Sequence, residues 1–313
     1  MQIQTLPGKL NYKSIRTAII IGFITTCYLI LVQLFIGLKT EHYLMAILYN
    51  LLFIYGGKAR KFILGFTAFV LFGVIYDMMK IYPNYLVNKI DIAQIYCLEK
   101  KLFGININGN RLTLNEFFSK NNNQYLDILS GFFYLNWMSV PLLFAFYMYL
   151  KNKRQFLLFS LTFLLTNLLG FCIYYIHPAA PPWYVQQYGF ELHYNIPGNA
   201  AGFIRFDKCL NIKIFESIYS KNSNVFAALP SLHASYPLVV LYYALKNKLK
   251  NICIFLTIFV LGTWFSAVYM GHHYVLDIIA GILCAFSGIF SIKLLYSKSI
   301  IIRIFLRKYE TQI

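Results

Sequence analysis

The sequence contains eight apolar segments, most of them long enough to form a helix that crosses a lipid bilayer. A spanning helix needs about 20 predominantly apolar residues. The candidate spans are 17–38, 43–56, 62–79, 129–150, 155–176, 228–245, 251–270 and 273–296. The second segment is short and ends at Gly56 and Gly57. It is therefore predicted to be tilted, re-entrant or supported by neighbouring helices.

Composition argues against the main alternative, which is a large soluble helical protein. Only 12% of the 313 residues are charged and 59% are hydrophobic, whereas about a quarter of the residues are charged in a typical soluble protein. A soluble core would also need helices with a charged face, and these segments lack one. The sequence therefore predicts a polytopic transmembrane helix bundle of the all-α class.

The net charge of +17 does not indicate a nucleic-acid partner. The lysines and arginines form short clusters between apolar segments, and no basic groove interleaved with aromatic residues is present. The first apolar segment is longer than the core of a signal peptide and lacks a small-residue cleavage site. It is predicted to be an uncleaved first span.

The cysteines do not suggest a metal site. The six cysteines form no C-x-x-C pair and show no metal-ligand spacing. Most lie in apolar segments, as small core residues do. Cys97 and Cys209 fall in long loops, where a disulfide between them stays open.

The basic clusters predict the orientation of the chain. They occur at 9–16, 58–61, 151–154, 246–250 and 298–308. If all five clusters are cytoplasmic, the eight spans alternate without contradiction and both termini lie inside. The two long loops, about 80–128 and 177–227, then lie outside the membrane.

The predicted organisation has four parts. They are the N-terminal transmembrane helices (1–80), an outer interfacial loop (81–128), a catalytic transmembrane core (129–297) and a basic cytoplasmic tail (298–313). The catalytic core includes the outer loop 177–227. Within the first outer loop, the partly amphipathic segment 85–103 is predicted to lie in the membrane interface. It would serve as a structural lid or as a surface that guides an acceptor lipid.

The sixth span opens with polar residues in the sequence ALPSLHASYPLVVLYYAL. Pro230 suits the first turn of a helix, because its missing N–H would have no partner there. Ser231 and His233 then lie in that turn, where free backbone N–H groups and the helix dipole favour an anion. The motif predicts an anion-binding helix end at the outer membrane surface.

The last span opens in a similar way, with GHHYVLDIIAG. His273 and Asp277 are four residues apart and share a helix face, so the carboxylate can orient the imidazole and raise its basicity. His272 lies off that face. An aspartate within a membrane span is costly and is usually functional. The alternative, a metal site, lacks a third strong ligand at suitable spacing.

Two histidines beside an anion site suit phosphoryl transfer. One ring attacks phosphorus and the other protonates the departing oxygen. This chemistry needs no metal and no cofactor, so none is expected. The sequence predicts His233, His273 and Asp277 as the catalytic residues.

These motifs resemble the type 2 phosphatidic acid phosphatase superfamily, whose core is a six-helix membrane bundle. The family motifs end in P-S-x-H and in H-x3-D, as Pro230 to His233 and His273 to Asp277 do here. The resemblance implies that His273 is a phosphohistidine nucleophile and that His233 is the acid and base. It also implies a six-helix core with two additional N-terminal helices.

The sequence departs from the phosphatase branch at two points. That branch has an arginine six residues before the nucleophile, where this sequence has Ala267. Its first motif, K-x6-R-P, has no convincing match. These departures disfavour a plain lipid phosphatase.

The sequence more closely resembles the inositol phosphorylceramide synthase branch, in its fungal and bacterial forms, over about 171–285. The matching stretches are HPAAPPWY (177–184), PGNAAGFIRFDK (197–208), SNVFAALPSLH (223–233) and GHHYVLDIIAG (271–281). In bacterial members the similarity extends upstream through GFFYLNW (131–137). Four stretches in the same order and spacing are more specific than P-S-x-H alone.

Cationic side chains are the candidates to replace the missing arginine. Arg205 and Lys208 lie in the second outer loop, and Arg205 can clamp a phosphate with two hydrogen bonds. The alternative for Arg205 is an ion pair with the nearby Asp207. Further candidates for the phosphate or head group are Lys80, Lys221 and His177, together with Ser231 at the helix end.

The resemblance implies transfer of inositol phosphate from phosphatidylinositol to a ceramide-type lipid, with release of diacylglycerol. The partners are then a phospholipid donor and a ceramide-like acceptor in a bacterial inner membrane, with the active site on the periplasmic face. The sequence does not define a partner subunit. The alternatives are a lipid phosphatase that uses water as acceptor and, more remotely, a non-catalytic scaffold or lipid transporter.

Overall fold

The computed structural model describes residues 12–194, 196–220 and 224–313, with side chains described from residue 16 onward. The helices are α1 Tyr12–Phe35, α2 Thr40–Tyr55, α3 Gly57–Gly65, α4 Thr67–Met78, α5 Ala93–Phe103, α6 Leu114–Lys120, α7 Gln124–Leu135, α8 Ser139–Lys151, α9 Lys153–Ile176, α10 Pro182–Tyr188, α11 Phe203–Leu210, α12 Ile214–Ser220, α13 Leu232–Lys246, α14 Lys250–Tyr269, α15 Val275–Lys298 and α16 Ile300–Glu310. A 3₁₀ turn at Asn84–Leu86 and two short antiparallel strands, β1 Ile105–Ile107 and β2 Asn110–Leu112, complete the described secondary structure.

The chain divides into two compact units. One comprises Met1–Ile81 with Thr311–Ile313, and the other comprises Tyr82–Glu310. In the first unit, α2 packs against α1 and α3. The predicted span 62–79 is not one straight helix, because α3 ends at Gly65 and α4 continues at an angle of 52°. Glycine is a weak helix former, which suits a break at this point.

Helices of membrane-spanning length support the membrane prediction. Among the described residues, four helices are long and apolar enough to cross by themselves: the part of α1 from Arg16 to Phe35, α9, α14 and α15. Two bent pairs, α3 with α4 and α7 with α8, raise the number to six if each pair forms one span. The all-α multi-pass fold is thereby confirmed.

All eight predicted spans contain helix in the described residues, and six of them coincide with the helices or bent pairs that are long and apolar enough to cross. The helices α2 and α13 have 16 and 15 residues, which corresponds to about 24 and 22 Å at 1.5 Å per residue. Both are shorter than the bilayer core of about 30 Å. Helix α13 is short because the chain before Leu232 is not helical and pairs with other loop segments.

The core of the second unit is built from α9, α13, α14 and α15, and α7 packs against α14. Helix α15 lies close to α13 because Gly281 has no side chain. A Cβ atom there would collide with the carbonyl oxygen of Ser231. The carbonyl of Gly281 also accepts a hydrogen bond of 2.7 Å from Ser235 Oγ. This contact holds the first turn of α13 against α15.

Three loop segments run side by side near the start of α13. Isolated parallel bridges join Asp91 to Ala179 and Ala179 to Ala227. The backbone N–H of Ala179 donates to the Phe226 carbonyl at 3.0 Å, and that of Asp91 donates to Pro178 at 2.8 Å. The bridges connect the first outer loop with the segment that leads into α13.

We expect Gly281→Ala to lower the thermal stability of the detergent-purified protein. The added methyl group must displace the Ser231 carbonyl, and overpacking of this kind costs about 1–3 kcal/mol. The matched control is Gly73→Ala, where a Cβ atom meets nothing within 4 Å. The control should unfold at the wild-type temperature or slightly above it, because alanine favours helix. Equal melting temperatures for the two variants would contradict the close contact of α13 with α15.

Candidate active site

His273 lies in the short connection between α14 and α15. Gly271, with φ of 72°, allows the tight turn there. The backbone N–H groups of His272 and His273 both donate to the Ala267 carbonyl at 3.1 Å. This local structure places the His273 ring at the mouth of α15 and buries it, with 6% of its surface exposed.

The hydrogen bond of His273 Nδ1 defines the reactive nitrogen. Nδ1 lies 3.0 Å from the Ala228 carbonyl oxygen. A carbonyl can only accept, so Nδ1 carries the proton, and in the neutral ring Nε2 keeps its lone pair. Nε2 faces the His233 ring. His273 therefore presents a nucleophilic nitrogen to the other candidate catalytic residue.

Asp277 lies where the i, i+4 spacing predicts, next to His273. Its Oδ2 is 3.4 Å from His273 Nδ1 and accepts a 2.8 Å hydrogen bond from the backbone N–H of Tyr274. The Ala228 carbonyl is nearer to Nδ1 than this carboxylate is. The structure therefore places two acceptors beside Nδ1: the Ala228 carbonyl at 3.0 Å, which takes the hydrogen bond, and the fully buried carboxyl group of Asp277 at 3.4 Å.

His233 lies in the first turn of α13, after the N-cap residue Ser231. Its Nδ1 is 2.9 Å from the Tyr134 hydroxyl and 3.4 Å from His273 Nε2. The edge of Trp137 packs against the ring with centroids 4.7 Å apart. The structure thus brings together the two histidines that lie 40 residues apart in the sequence.

A small cavity of about 60 Å³ lies at the two rings, and we call it the catalytic cavity. Its wall includes His233, His272 and His273, with Trp183 and Asn199. Among the described residues that line it, none is a lysine or an arginine. Among these described lining residues, positive charge can therefore arise only on an imidazole.

Burial lowers the pKa of His272 and His273 and keeps both rings neutral. Desolvation lowers the pKa of His273 to about 4, against the opposing effect of the hydrogen bond to Ala228. Desolvation and the neighbouring His273 lower the pKa of His272 to about 3. At neutral pH the nucleophilic nitrogen of His273 is consequently unprotonated, as attack on phosphorus requires.

Glu99 is a residue that sequence reasoning missed. It is fully buried, and its two carboxylate oxygens accept hydrogen bonds from the backbone N–H groups of Val275 at 3.0 Å and Leu276 at 3.1 Å. Burial raises the pKa of Glu99, and these two hydrogen bonds oppose the rise. The N-terminus of α15 is therefore occupied by a protein carboxylate, and α13 provides the other helix end.

Asn115, which lies in the first outer loop, also binds the connection between α14 and α15. Its Nδ2 donates to the carbonyls of Val268 at 2.8 Å and His273 at 2.9 Å. Glu99 and Asn115 carry no recognisable sequence signal, because a single polar residue in an amphipathic segment looks like a solvent-facing one. Tyr134 could have been identified from the sequence, since it lies in the stretch GFFYLNW that carries the resemblance.

Arg205 does not line the catalytic cavity. Its Nε donates to Asp127 Oδ1 at 2.8 Å, and its guanidinium lies 5.4 Å from the centroid of the Tyr269 ring. The alternative of an ion pair with Asp207 is wrong, because the Asp207 carboxylate accepts from the backbone at the start of α12. Lys208 is exposed on α11 and lines none of the described cavities.

Ser231 caps α13, since its Oγ accepts from the backbone N–H of Ala234 at 3.4 Å. His177 lies away from the histidine pair, with its Nε2 3.2 Å from Asp91, and lines a separate open cavity. Lys80 belongs to the first unit, where its Nζ lies 2.7 Å from Asp77 Oδ1. Lys221 lies outside the described residues.

Neither a metal centre nor a disulfide is present within the described part of the chain. No group of three or more His, Cys, Asp or Glu side chains there has an arrangement that could hold a metal ion. All six cysteines are free thiols, so the disulfide left open for Cys97 and Cys209 is not formed.

The helical membrane fold and the paired imidazoles at two helix ends define a class of membrane-embedded phosphoryl-transfer protein. The chain belongs to the PAP2 superfamily, whose family model matches residues 100–290. This match confirms the resemblance that the two histidine motifs predict.

Three related proteins show which members of the superfamily this chain is similar to. The chain is 47% identical to the phosphoinositol dihydroceramide synthase of Bacteroides thetaiotaomicron over 90% of this chain and 92% of that protein. It is 37% identical to the catalytic subunit of inositol phosphorylceramide synthase from Saccharomyces cerevisiae, over 37% of this chain and 29% of that protein. The corresponding subunit of Schizosaccharomyces pombe is 30% identical over 60% of this chain and 43% of that protein. No solved structure matches the chain.

We expect Tyr134→Phe to lower kcat about tenfold with little change in KM. The variant keeps the buried ring but removes the hydroxyl beside His233 Nδ1, and one such hydrogen bond contributes about 0.5–1.5 kcal/mol. Steady-state kinetics over a range of pH would test this, because Tyr134 acts through a titrating ring and its loss should shift the pH profile.

The control for this experiment is Tyr243→Phe. The Tyr243 hydroxyl pairs with Thr162 Oγ1 at 2.8 Å, within the same bundle. The Tyr243→Phe variant should leave the pH profile of kcat unchanged. Identical profiles for wild type and Tyr134→Phe would show that Tyr134 does not position His233.

Proposed function

We propose that the protein transfers inositol phosphate from phosphatidylinositol to the primary hydroxyl of a ceramide-type lipid, with diacylglycerol as the second product. The observation that carries this proposal is the pair of facing imidazoles, with His273 Nε2 left unprotonated 3.4 Å from His233 Nδ1. The names of the relatives support inositol phosphate as the transferred group and a dihydroceramide or ceramide as the acceptor.

In the first step, His273 Nε2 attacks the phosphorus of the donor lipid. The bond from phosphorus to the glycerol oxygen breaks, and protonated His233 gives its proton to that oxygen. Diacylglycerol leaves, and inositol phosphate stays bound to His273 through a phosphorus–nitrogen bond. Asp277 stabilises the positive charge that forms on the His273 ring, because its carboxylate lies 3.4 Å from Nδ1.

In the second step, the acceptor hydroxyl attacks the same phosphorus. His233, now neutral, takes the hydroxyl proton, and the phosphorus–nitrogen bond breaks. His273 returns to its neutral form, and its proton on Nδ1 is retained throughout by Ala228. The two steps exchange one alcohol for another on phosphorus, so no oxidant or reductant is involved.

The described geometry corresponds to a closed site. A separation of 3.4 Å between the two nitrogens leaves no room for a phosphoryl group in line between them. A cavity of about 60 Å³ holds roughly two water molecules at their liquid volume. Donor binding must therefore move the His233 ring away from His273.

The proposed site faces the outer side of the membrane. The basic clusters favour cytoplasmic placement of the connection at 151–154 and outer placement of the loop that contains Lys213. Lipid donor and acceptor would then enter from the outer leaflet of a bacterial inner membrane. This placement fits the bacterial origin of the relative that matches most of the chain.

Replacing His273 and replacing His233 should impair different steps of the reaction. His273→Ala should abolish the covalent intermediate, detected as acid-labile label on the protein after mixing with phosphorus-labelled phosphatidylinositol. His233→Ala should slow release of diacylglycerol about a hundred- to ten-thousandfold. A donor whose leaving group is acidic needs no proton from His233 and should recover much of that loss.

Product analysis with and without acceptor separates transfer from hydrolysis. With ceramide present, inositol phosphorylceramide should form and little free inositol phosphate should appear. Equal release of inositol phosphate in both mixtures, without a ceramide product, would make the protein a phosphatase. Equal responses of both histidine variants to the activated donor would contradict their separate roles.

Cysteine labelling tests the proposed sidedness. Lys151 and Lys213 are exposed, so either can be replaced by cysteine in a chain whose six natural cysteines have been removed. A membrane-impermeant thiol reagent should label Lys213→Cys in intact cells and Lys151→Cys only after permeabilisation. Labelling of both positions from the same side would contradict the topology.

A further inference from the structure

A second cavity, of about 280 Å³, lies beside the catalytic cavity in the same unit, and we call it the polar cavity. Trp183 and Asn199 line both cavities. Met270 and Gly271, which directly precede the two adjacent histidines, also line the polar cavity. A group attached to phosphorus at His273 would therefore need to pass only Trp183 and Asn199 to enter it.

The wall of the polar cavity combines uncharged polar side chains with apolar ones such as Trp183, Ile204 and Met270. It contains the side-chain amides of Asn115, Gln186, Gln187 and Asn199 and the hydroxyl of Ser119. Among the described residues that line it, none is a carboxylate. Amides and hydroxyls both donate and accept hydrogen bonds. This set of groups suits a ligand whose own groups do the same, as the hydroxyls of a cyclic polyol do.

The charge of the wall also favours a neutral ligand. Arg205 is the cationic residue that lines the polar cavity within the described part of the chain. Its Nε pairs with the buried carboxylate of Asp127 at 2.8 Å, so its charge is already balanced. An anion would have to compete with Asp127 for this guanidinium, whereas a hydroxyl can use its remaining N–H groups.

Asn115 provides an acceptor that the protein itself leaves unused. The side chain is 1% exposed, and its Nδ2 donates to two backbone carbonyls. Its Oδ1 is buried and has no hydrogen-bond partner among the described residues. Buried acceptors are rarely left unpaired, so this oxygen has capacity for one further donor.

We propose that the polar cavity binds the inositol ring of the donor lipid while its phosphorus lies at His273. The proposal rests on the proposed function and adds the residues that select the head group. Gln186 and Gln187 make the wall specific for a polyol, and Trp183 provides an apolar surface for one face of the ring. A head group with fewer hydroxyls, such as glycerol, would leave part of the amide wall unpaired.

The double variant Gln186→Met with Gln187→Met tests the proposal. Both side chains are exposed, and methionine has a similar length without hydrogen-bonding groups, so the fold should be retained. We expect KM for phosphatidylinositol to rise about tenfold, which corresponds to the loss of one or two hydrogen bonds. We expect kcat to stay within about twofold, because these contacts are the same in the ground state and the transition state.

Head-group selectivity provides the second readout. The preference for phosphatidylinositol over phosphatidylglycerol, measured as a ratio of kcat/KM values, should fall by the same factor of about ten. Free inositol phosphate should inhibit the wild-type enzyme competitively and inhibit the double variant more weakly. The matched control is Gln94→Met, whose exposed side chain lines a third cavity of about 800 Å³ together with His177. This control should keep wild-type KM and selectivity.

The outcomes separate the two proposals. If the wild-type protein makes no inositol phosphorylceramide from phosphatidylinositol, the proposed function is wrong whatever the variants do. If the wild type is active and the double variant keeps its KM and selectivity, the polar cavity is not the head-group site. A raised KM in Gln94→Met alone would overturn the inference as well, and would place the head group beside His177.

Discussion

The hydrogen bond from His273 Nδ1 to the Ala228 carbonyl is the interaction on which the site depends. It determines the tautomer, so the lone pair of Nε2 faces His233. It also requires two distant parts of the chain to be held in register. Ala228 is held by the bridge of the preceding residue to Ala179, and His273 is held by its own turn and by α15. A displacement of about one ångström in either segment would break the hydrogen bond between His273 Nδ1 and Ala228 and leave the His273 ring free to rotate.

The first outer loop supports this register from the opposite side. Glu99 binds the first two backbone N–H groups of α15, and Asn115 binds the carbonyl of His273 itself. Both side chains are buried, so each contact avoids an unpaired polar group in a region shielded from water. The loop is therefore part of the framework that positions the candidate site. The same loop carries Asn115 into the wall of the polar cavity, so one side chain links that wall to the backbone of His273.

Sequence patterns were sufficient for the fold class and for the pairing of His233 with His273. Apolar length identifies the helices, and the i, i+4 spacing places Asp277 beside the ring. Sequence patterns were insufficient where contacts between residues distant in the sequence determine the structure. One such case is the start of α13, because hydropathy does not register that the helix begins only at Leu232. The partner of Arg205 was wrong because Asp127 is 78 residues away and buried, whereas Asp207 is adjacent in sequence but turns toward α12.

The charge of the catalytic cavity bears on which phosphate ester the site accepts. A phosphate diester such as phosphatidylinositol carries one negative charge, whereas a monoester such as phosphatidic acid carries nearly two at neutral pH. The phosphatase branch places an arginine six residues before the nucleophile, but here Ala267 stands there and Arg205 is paired with Asp127 in the neighbouring cavity. Among the described lining residues there is no lysine or arginine, so an imidazole is the side chain that could carry positive charge beside the phosphate. A single such charge matches a diester, and the second negative charge of a monoester would remain unbalanced in a buried site. The same loss of cations therefore disfavours the phosphatase reaction and favours exchange of one alcohol for another on a diester.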